Sequence, residues 1–353
     1  MAKRFAHARR GALAAAAITA VCVVLLVGLL IYDATSGRNA AVRSTTAMAT
    51  VVTAKVWGPA GEQTAQDVLD RITALDEDCL SAYADTSDVY RINHAAGNPV
   101  KVNSYTYNLL VELLDIVRQT NGAFDPTIGA LTALWDIGGP DERIPDDGEI
   151  TAALGAVGWD KLHLADGNVQ ICKGQLLDLG AVGKGAACDA VHTVLEEDEA
   201  RSAVISVGGS LLLYGENPEG DDWSVGVRDP RGGSNDRLGT LSIGADLCVS
   251  TSGDYERFFE QDGVRYCHIL DPATGRPADS GLISVTIISP SGLLSDALST
   301  ACFVLGYERS LPVLGLFEGT QALFVTADRT VYVTPGLEGR FTLTADGYTM
   351  GAE

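Results

Sequence analysis

The sequence predicts an α+β protein in which antiparallel strands are favoured over a doubly wound parallel sheet. Apolar residues recur at helical spacing in residues 68–75 and 109–117 of the first half. The second half consists mainly of short apolar runs that are separated by turns rich in Gly, Pro and Asp. Strand and helix patterns do not alternate strictly, as a doubly wound parallel sheet would require.

Individual elements follow from the same patterns. Val68, Ile72 and Leu75 lie on one face of a predicted helix. A second helix is predicted to begin near Ser104 and to end before Gly122, because these residue types are common at the two ends of a helix. The predicted strands are residues 203–207, 211–214, 223–228, 282–288, 322–326 and 330–334.

The N-terminus has the composition of a membrane-spanning segment. Residues 1–10 contain four basic residues and no acidic one, and residues 11–32 are 22 residues without a charge. At about 1.5 Å per residue this stretch is roughly 33 Å long as a helix, which matches a bilayer core. We therefore expect a cytoplasmic segment (1–10) and a single-pass anchor in the cell membrane (11–32), with the remaining chain outside. A cleaved signal peptide stays the alternative.

Residues 33–47 are small and polar, and they predict a linker to a folded domain at 48–350. The formal net charge is −21. After residues 1–32, which hold four basic residues, 21 basic and 46 acidic residues remain, a net charge of −25. An acidic surface of this kind argues against a nucleic-acid partner, which would need clustered Lys and Arg.

Six cysteines follow the apolar segment, and their spacing fits neither CxxC nor another zinc pattern. Most have apolar neighbours, which favours buried free thiols over a disulfide framework. A single disulfide remains the alternative if the domain lies in an oxidising compartment.

A glycine-rich segment runs from Asp178 to Gly185 (DLGAVGKG) between an apolar pair, Leu176-Leu177, and a helical pattern. We predict a strand that enters a turn and then a helix. Backbone N–H groups at the helix start and the Lys184 ammonium would then bind an anion. The spacing is not that of a P-loop. A tight turn with a solvated lysine is the structural alternative.

The segment Ser295 to Thr300 (SDALST) opens an apolar run. If Ser295 caps a helix, Asp296 and Thr300 lie four residues apart on one helical face. A carboxylate and a hydroxyl on one face suit an oxygen-preferring cation such as Mg²⁺. The alternative is that Asp296 only stabilises the helix dipole.

His268 and Asp271 precede a turn that contains Pro and Gly. A histidine that titrates near neutrality can move a proton, and a nearby carboxylate can orient it or help to position a metal. A hydrogen-bonded structural histidine is the alternative, and the order of residues is not that of a known Ser-His-Asp triad.

Two further segments offer contacts to a ligand. Asp125 and Thr127 lie in the loop 122–129 (GAFDPTIG) and supply an acceptor and a donor. Gly208 and Gly209 end a predicted strand and permit close approach of the backbone to a ligand. Either segment is equally consistent with an ordinary turn.

Eight segments, taken in order between Thr50 and Asp346, resemble the ApbE-type FAD:protein FMN transferases. They are LSAY (80–83), SDVYRIN (87–93), GAFDPTIG (122–129), LDLGAVGKG (177–185), ISVGGS (205–210), STSGDYERFF (250–259), YCHILDPATGRP (266–277) and SDALSTA (295–301). The resemblance implies a T-fold-like α+β architecture with mixed or antiparallel sheets and FAD in a cleft between two halves. Members are commonly exported lipoproteins or membrane-anchored enzymes.

The resemblance also implies roles for residues of this chain. The side chains of Asp296 and Thr300 would bind Mg²⁺ together with the main-chain carbonyl of Ala181, with that of Gly180 less favoured. His268 and Asp271 would lie at the reacting phosphate, either one as general base. The predicted FAD-contacting residues are Tyr83, Ala123, Asp125, Thr127, Asp178, Lys184, Asp189, Gly208, Gly209 and His268.

The implied activity is Mg²⁺-dependent transfer of FMN from FAD, through a phosphoester bond, to a Thr or Ser of an acceptor protein, with release of AMP. No acceptor domain is recognised in this sequence, so the partner is expected to be a separate chain with an FMN-binding type domain. A metal-dependent FAD pyrophosphatase and a non-catalytic flavin-binding lipoprotein are the alternatives. The chain departs from the family pattern at Cys267, where a serine is usual, and at Met48-Ala49-Thr50, which replaces an MGT-like segment.

Overall fold

The computed structural model describes residues 39–351 and has a large sheet with helices packed on one face. A smaller sheet packs on the opposite face. The helices are α1 (Gly61–Leu75), α2 (Asp88–Asn93), α3 (Ser104–Gln119), α4 (Gly129–Trp135), α5 (Asp147–Leu154), α6 (Gly183–Glu197), α7 (Gly292–Leu305) and α8 (Tyr307–Leu314). A π-helical turn, Asp76–Leu80, continues α1.

The strands are β1 (Ala41–Ala47), β2 (Thr50–Trp57), β3 (Val100–Lys101), β4 (His163–Ala165), β5 (Asn168–Gln170), β6 (Ser202–Val207), β7 (Ser210–Tyr214), β8 (Trp223–Arg228), β9 (Arg237–Ile243), β10 (Leu247–Gly253), β11 (Phe258–Gln261), β12 (Val264–Cys267), β13 (Leu270–Asp271), β14 (Arg276–Pro277), β15 (Leu282–Ser289), β16 (Gln321–Thr326), β17 (Thr330–Val333), β18 (Phe341–Leu343) and β19 (Thr349–Met350).

The large sheet has the strand order β1-β2-β6-β7-β10-β15-β16-β17-β19. Its neighbours are antiparallel except for the last pair, β17 and β19. Strands β8, β9 and β18 form the smaller sheet, β3, β4 and β5 form another, and β11–β12 and β13–β14 are two-stranded pairs. The prediction of an α+β fold dominated by antiparallel pairing is therefore confirmed.

Alternating side chains of the large sheet enter two separate cores, because successive residues of a strand point to opposite faces. Val285 and Ile287 of β15 join the core beneath α1, α6 and α7, whereas Ile288 joins the core beneath the smaller sheet. Both faces of β15 are thus covered, and all eight of its residues are buried.

Most of the predicted elements are confirmed to within one or two residues. The helix placed near Ser104 is α3, whose N-cap is Asn103, and the six predicted strands correspond to β6, β7, β8, β15, β16 and β17. The six cysteines within residues 39–351 are all free thiols, and all but Cys172 are buried.

Three expectations of local structure are wrong. Leu176-Leu177 is not a strand: Leu176 forms one isolated bridge with Ile128, and the Asn93 side chain pairs with both backbone polar groups of Leu177. Ser295 is not a helix cap, because α7 begins at Gly292 and the Ser291 hydroxyl accepts a hydrogen bond from the Leu294 N–H. The predicted linker 33–47 overlaps β1, so its last seven residues belong to the sheet.

The predicted cytoplasmic segment (1–10) and anchor (11–32) lie outside the described residues. Among residues 39–351, no helix is both long and apolar enough to cross a membrane. The departure from the family pattern at Met48-Ala49 forms the turn between β1 and β2, where both residues have positive φ angles of 52° and 55°.

Helices α6 and α7 touch at their first turns through two glycines. A Cβ atom added to Gly185 would lie 1.9 Å from the carbonyl oxygen of Gly292, and one added to Gly292 would lie 2.3 Å from the carbonyl oxygen of Gly185. Such distances are far below van der Waals contact, so neither position accepts a side chain without movement of the backbone. The two helix starts can approach this closely only because both residues are glycine.

We expect Gly185→Ala to destabilise the protein by about 1–3 kcal/mol or more, because the added methyl group overpacks a backbone contact. Gly183→Ala is the matched control in the same helical turn, since its Cβ would meet only Leu80 Cδ1 at 4.0 Å. Alanine is the better helix former, so the control should be neutral or slightly stabilising. Urea unfolding of the two variants measures the difference. Equal stability would contradict the close contact between the helices.

Candidate active site

Helices α6 and α7 each contribute a carboxylate that accepts hydrogen bonds from the start of the other helix. On α6, Asp189 accepts hydrogen bonds from the N–H groups of Gly292 (2.6 Å) and Leu293 (2.8 Å) at the start of α7. On α7, Asp296 accepts one from the N–H of Gly185 at 2.6 Å in the first turn of α6. Each helix thus satisfies N–H donors that have no partner within the other helix, and each carboxylate faces a helix dipole of favourable sign.

Asp296 is buried and held at both oxygens. Oδ2 accepts the Gly185 N–H, and Oδ1 accepts the hydroxyl of Ser210 at 2.6 Å. A carboxylate has about four lone-pair sites, so each oxygen retains capacity for a further ligand. Only 4% of the residue is exposed. The orientation of this carboxylate is therefore fixed before any ligand binds.

Thr300 lies one turn after Asp296 on the same helix and is half-buried. Its hydroxyl lies 3.4 Å from the hydroxyl of Ser252, which is 2.7 Å from that of Ser299. The predicted relation of Asp296 and Thr300 on one face is confirmed, although the helix begins four residues earlier than Ser295 would have placed it.

The glycine-rich loop before α6 supplies the predicted carbonyl oxygens. The Gly180 carbonyl accepts a hydrogen bond from Lys184 Nζ at 3.3 Å, and the Gly180 N–H donates to Asp178 Oδ1 at 2.8 Å. The Ala181 carbonyl accepts no hydrogen bond from residues 39–351. Of the two carbonyls, that of Ala181 is therefore the one without a hydrogen bond from the described residues, and its role as a metal ligand stays a prediction.

His268 is half-buried and directly follows β12. Its Nδ1 lies 3.2 Å from the carbonyl oxygen of Arg257, which also accepts its backbone N–H. A carbonyl only accepts, so Nδ1 carries the proton and Nε2 has the free lone pair. Burial, followed by the positive charge of Arg257, lowers the pKa of His268 to about 4. The ring is therefore neutral at neutral pH.

Asp271 builds the turn between β13 and β14. Oδ1 accepts the N–H of Ala273 at 2.8 Å, and Oδ2 accepts the hydroxyl of Thr274 at 3.3 Å. Its side chain already has a structural role, whereas Nε2 of His268 has no hydrogen bond within residues 39–351. This difference favours His268 over Asp271 as the proton acceptor.

Asp125 and Thr127 hold their own loop together. Asp125 accepts the N–H and hydroxyl of Thr127, at 2.8 and 2.7 Å, and the N–H of Trp159 at 3.1 Å. Burial raises the pKa of Asp125, and these hydrogen bonds oppose the shift. The neighbouring Pro126 carbonyl accepts the N–H of Asp178 at 2.8 Å, so this loop is joined to the glycine-rich loop.

The other predicted FAD-contacting residues occupy different settings. Ala123 is buried, and Gly208 and Gly209 form the tight turn between β6 and β7 beside Ser210. Asp189 already binds the start of α7 with both oxygens, and burial raises its pKa. Tyr83 is 91% exposed and stands apart from these contacts.

The candidate metal ligands are a carboxylate, a hydroxyl and a carbonyl. Within residues 39–351, no group of three or more His, Cys, Asp or Glu side chains is placed to hold a metal ion. An all-oxygen set with one carboxylate fits Mg²⁺, which commonly completes its shell with water and substrate phosphates. The chemistry of the donors therefore agrees with the predicted ion.

Sequence reasoning missed several residues of this site. Ser210 and Ser252 lie in matched segments, but their bonds to α7 require knowledge of which strands lie beneath that helix. Gly292 lies just before the segment Ser295 to Thr300 and carries no side chain that suggests a role. Arg257 carries an exposed guanidinium that forms no ion pair within residues 39–351, and its position opposite His268 follows from the β11–β12 register.

Comparison with known proteins identifies a family for this arrangement. A family model described as the ApbE family matches residues 48–324. The FAD:protein FMN transferase of Treponema pallidum (strain Nichols) is 40% identical over 278 residues, which cover 74% of this chain and 76% of the relative. One from Klebsiella pneumoniae (strain 342) is 36% identical over 278 residues, covering 77% and 85%.

Solved structures agree with these sequence relatives. The ApbE protein of Thermotoga maritima matches with a TM-score of 0.79 and 33% identity, over 86% of this chain and 99% of that one. The flavinyl transferase ApbE of Pseudomonas stutzeri, in its apo form, matches with a TM-score of 0.76 and 30% identity, over 87% and 98%. With most of the chain matched in sequence and in structure, this protein belongs to the ApbE family.

Proposed function

We propose that this chain is a Mg²⁺-dependent FAD:protein FMN transferase. It cleaves the pyrophosphate of FAD, attaches FMN through a phosphoester bond to a Thr or Ser of a separate acceptor protein, and releases AMP. The observation that carries the proposal is the fixed Asp296 carboxylate, which lies at the start of α6 with Thr300 on its own helical face. The curated relatives named FAD:protein FMN transferase support it.

Three groups of this chain would hold the metal: the carboxylate of Asp296, the hydroxyl of Thr300 and the carbonyl of Ala181. Bound there, Mg²⁺ would supply positive charge to the pyrophosphate oxygens and to the phosphate that leaves with AMP. Because both oxygens of Asp296 are held by hydrogen bonds, its side chain would need little movement to bind the ion. A preoriented ligand of this kind favours binding and catalysis.

Positive groups around His268 suit the pyrophosphate itself. Lys184 lies in the first turn of α6, and the positive charges of both Lys184 and Arg257 act on the His268 ring. Helix starts and cationic side chains bind phosphate oxygens through N–H groups and charge. In a chain with a net charge of −21, these two cationic side chains favour an anionic substrate beside His268.

His268 is the proposed general base. The acceptor hydroxyl gives its proton to Nε2, its oxygen forms a bond to the FMN-side phosphorus, and the bridging P–O bond to the AMP phosphate breaks. The Arg257 carbonyl holds the ring in the tautomer that this step needs. Asp271 stabilises the adjacent turn, and Asp189 positions the start of α7.

We also propose that the enzyme is held at the cell membrane with its catalytic domain outside the cytoplasm. The support is the basic segment 1–10 and the uncharged segment 11–32. The acceptor, a separate FMN-binding type domain, would then be met on the extracytoplasmic side.

Mass spectrometry of FAD, Mg²⁺, the full chain and a recombinant FMN-binding type domain tests the proposed reaction. We expect the acceptor to gain the mass of FMN less one water, with release of AMP. Asp296→Asn and Thr300→Val should reduce transfer by at least about 100-fold, because each removes a ligand of the catalytic ion. Asp115→Asn, at an exposed ion pair with Arg118, is the control and should retain activity.

The same assay separates the alternatives. Free FMN and AMP with an unmodified acceptor would instead indicate a pyrophosphatase, and intact FAD would indicate a binding protein. Full activity of both ligand variants would contradict the assigned metal site.

A second prediction distinguishes the two candidate bases. His268→Ala should lower the single-turnover rate constant of transfer by about 100- to 10,000-fold, the range typical of a lost general base. Asp271→Asn should retain most activity, because its amide oxygen can still accept the Ala273 N–H. The measurement is single-turnover transfer to the acceptor domain at saturating FAD. A large loss in Asp271→Asn with little loss in His268→Ala would reverse the assignment.

The pH profile gives a third prediction. His268 accepts a proton only while neutral, and its folded-state pKa is about 4, below the ordinary value of about 6.5. kcat/KM, which reports the free enzyme, should therefore not fall from pH 7 to about pH 5.5 through this group, and should fall as the pH approaches about 4. Arg257→Gln removes a neighbouring positive charge and should move the fall to higher pH. A midpoint near 6.5 in both proteins would contradict this.

A further inference from the structure

A buried serine of the large sheet contacts the proposed metal-binding carboxylate. Ser210 is the first residue of β7, directly after the Gly208-Gly209 turn, and is 1% exposed. Its hydroxyl donates to Asp296 Oδ1 at 2.6 Å, while Oδ2 accepts the backbone N–H of Gly185. The two oxygens of the carboxylate are therefore held from two different elements, a strand and a helix.

We propose that Ser210 is a positioning residue for the metal site, an inference that rests on the proposed function. A carboxylate with a donor at only one oxygen can rotate about its Cβ–Cγ bond, whereas donors at both oxygens fix its plane. The Ser210 hydroxyl reaches only Asp296 among the residues 39–351, so its single proton is committed to that oxygen. Ser210 thus determines where the lone pairs of Asp296 point and binds no ligand itself.

The neighbouring strand provides a contrast. Ser250 lies on β10, which pairs with β7, and is also 1% exposed. Its hydroxyl is 2.8 Å from that of Ser295, the residue before Asp296 on α7. Ser210 and Ser250 therefore make similar buried bonds to adjacent residues of one helix, but only Ser210 contacts a proposed metal ligand. A purely structural role would make the two serines equivalent.

Calorimetric titration of Mg²⁺ alone into the full chain tests the proposal. Loss of an outer-shell partner typically weakens metal binding about 10- to 100-fold, so Ser210→Ala should raise the Mg²⁺ dissociation constant by this factor. Ser250→Ala is the matched control and should leave the constant within about twofold. Ser210→Thr keeps the hydroxyl and should recover most of the affinity. Urea unfolding should show comparable losses of stability in the two alanine variants.

The outcomes separate this inference from the function on which it rests. Unchanged Mg²⁺ affinity in Ser210→Ala, or equal weakening in Ser210→Ala and Ser250→Ala, would overturn the positioning role while leaving the metal site intact. Absence of Mg²⁺ binding to the unmodified chain would overturn the metal site and this inference with it. FMN transfer to the acceptor domain, measured on the same samples, reports the proposed function independently.

Discussion

The contact between the first turns of α6 and α7 is the interaction on which the rest of the candidate site depends. Gly185 and Gly292 allow the two backbones to meet, and Asp189 and Asp296 then each bind N–H groups at the start of the opposite helix. Helix starts carry unsatisfied donors and partial positive charge, so two starts side by side are stable only if acceptors lie between them. The two carboxylates are those acceptors.

This arrangement explains how an acidic side chain can be buried beside the glycine-rich loop. A buried carboxylate is costly unless it is paired or hydrogen-bonded, and Asp296 meets that condition through Gly185 and Ser210. The same bonds fix its orientation and bring it to the end of the glycine-rich loop that carries Ala181 and Lys184. The same contacts thus pack α6 against α7 and orient the carboxylate of the candidate site.

The sequence predicts the fold well where local pattern decides structure. Strands such as β8 and β15 are delimited by turn residues, and α3 has a clear apolar face, so their positions follow from residue order alone. The strand predicted at Leu176-Leu177 is absent, because the Asn93 side chain, 84 residues away, binds the backbone groups of Leu177 in place of a neighbouring strand. The start of α7 was misplaced because two serines, Ser291 and Ser295, both precede apolar residues and only one of them has the extended backbone of a cap.

For the candidate site, too, the sequence predicts some residues and not others. The sequence singles out Asp296, Thr300, Lys184 and His268 because their residue types and segments suit metal binding, anion binding or proton transfer. The hydrogen-bond partners of Asp296 could not be predicted, because Ser210 and Gly185 are separated from it by 86 and 111 positions in the sequence. Asp125, Asp189 and Asp271 also have a residue type suited to ligand binding, and their hydrogen bonds to a loop, a helix start and a turn of the protein could not be predicted either.

Amide hydrogen exchange at Gly185 in an Asp189→Asn variant tests the dependence of the site on this contact most directly. The acceptor of the Gly185 N–H is Asp296, which the substitution leaves intact. If the two carboxylates hold the helix starts together, weakening the Asp189 bonds to α7 should speed exchange at Gly185 by about tenfold or more, equivalent to about 1.4 kcal/mol. Unchanged protection at Gly185 would show that the Asp296 bond to α6 does not depend on the Asp189 bonds to α7. That result would contradict the proposed dependence of the site on both carboxylates.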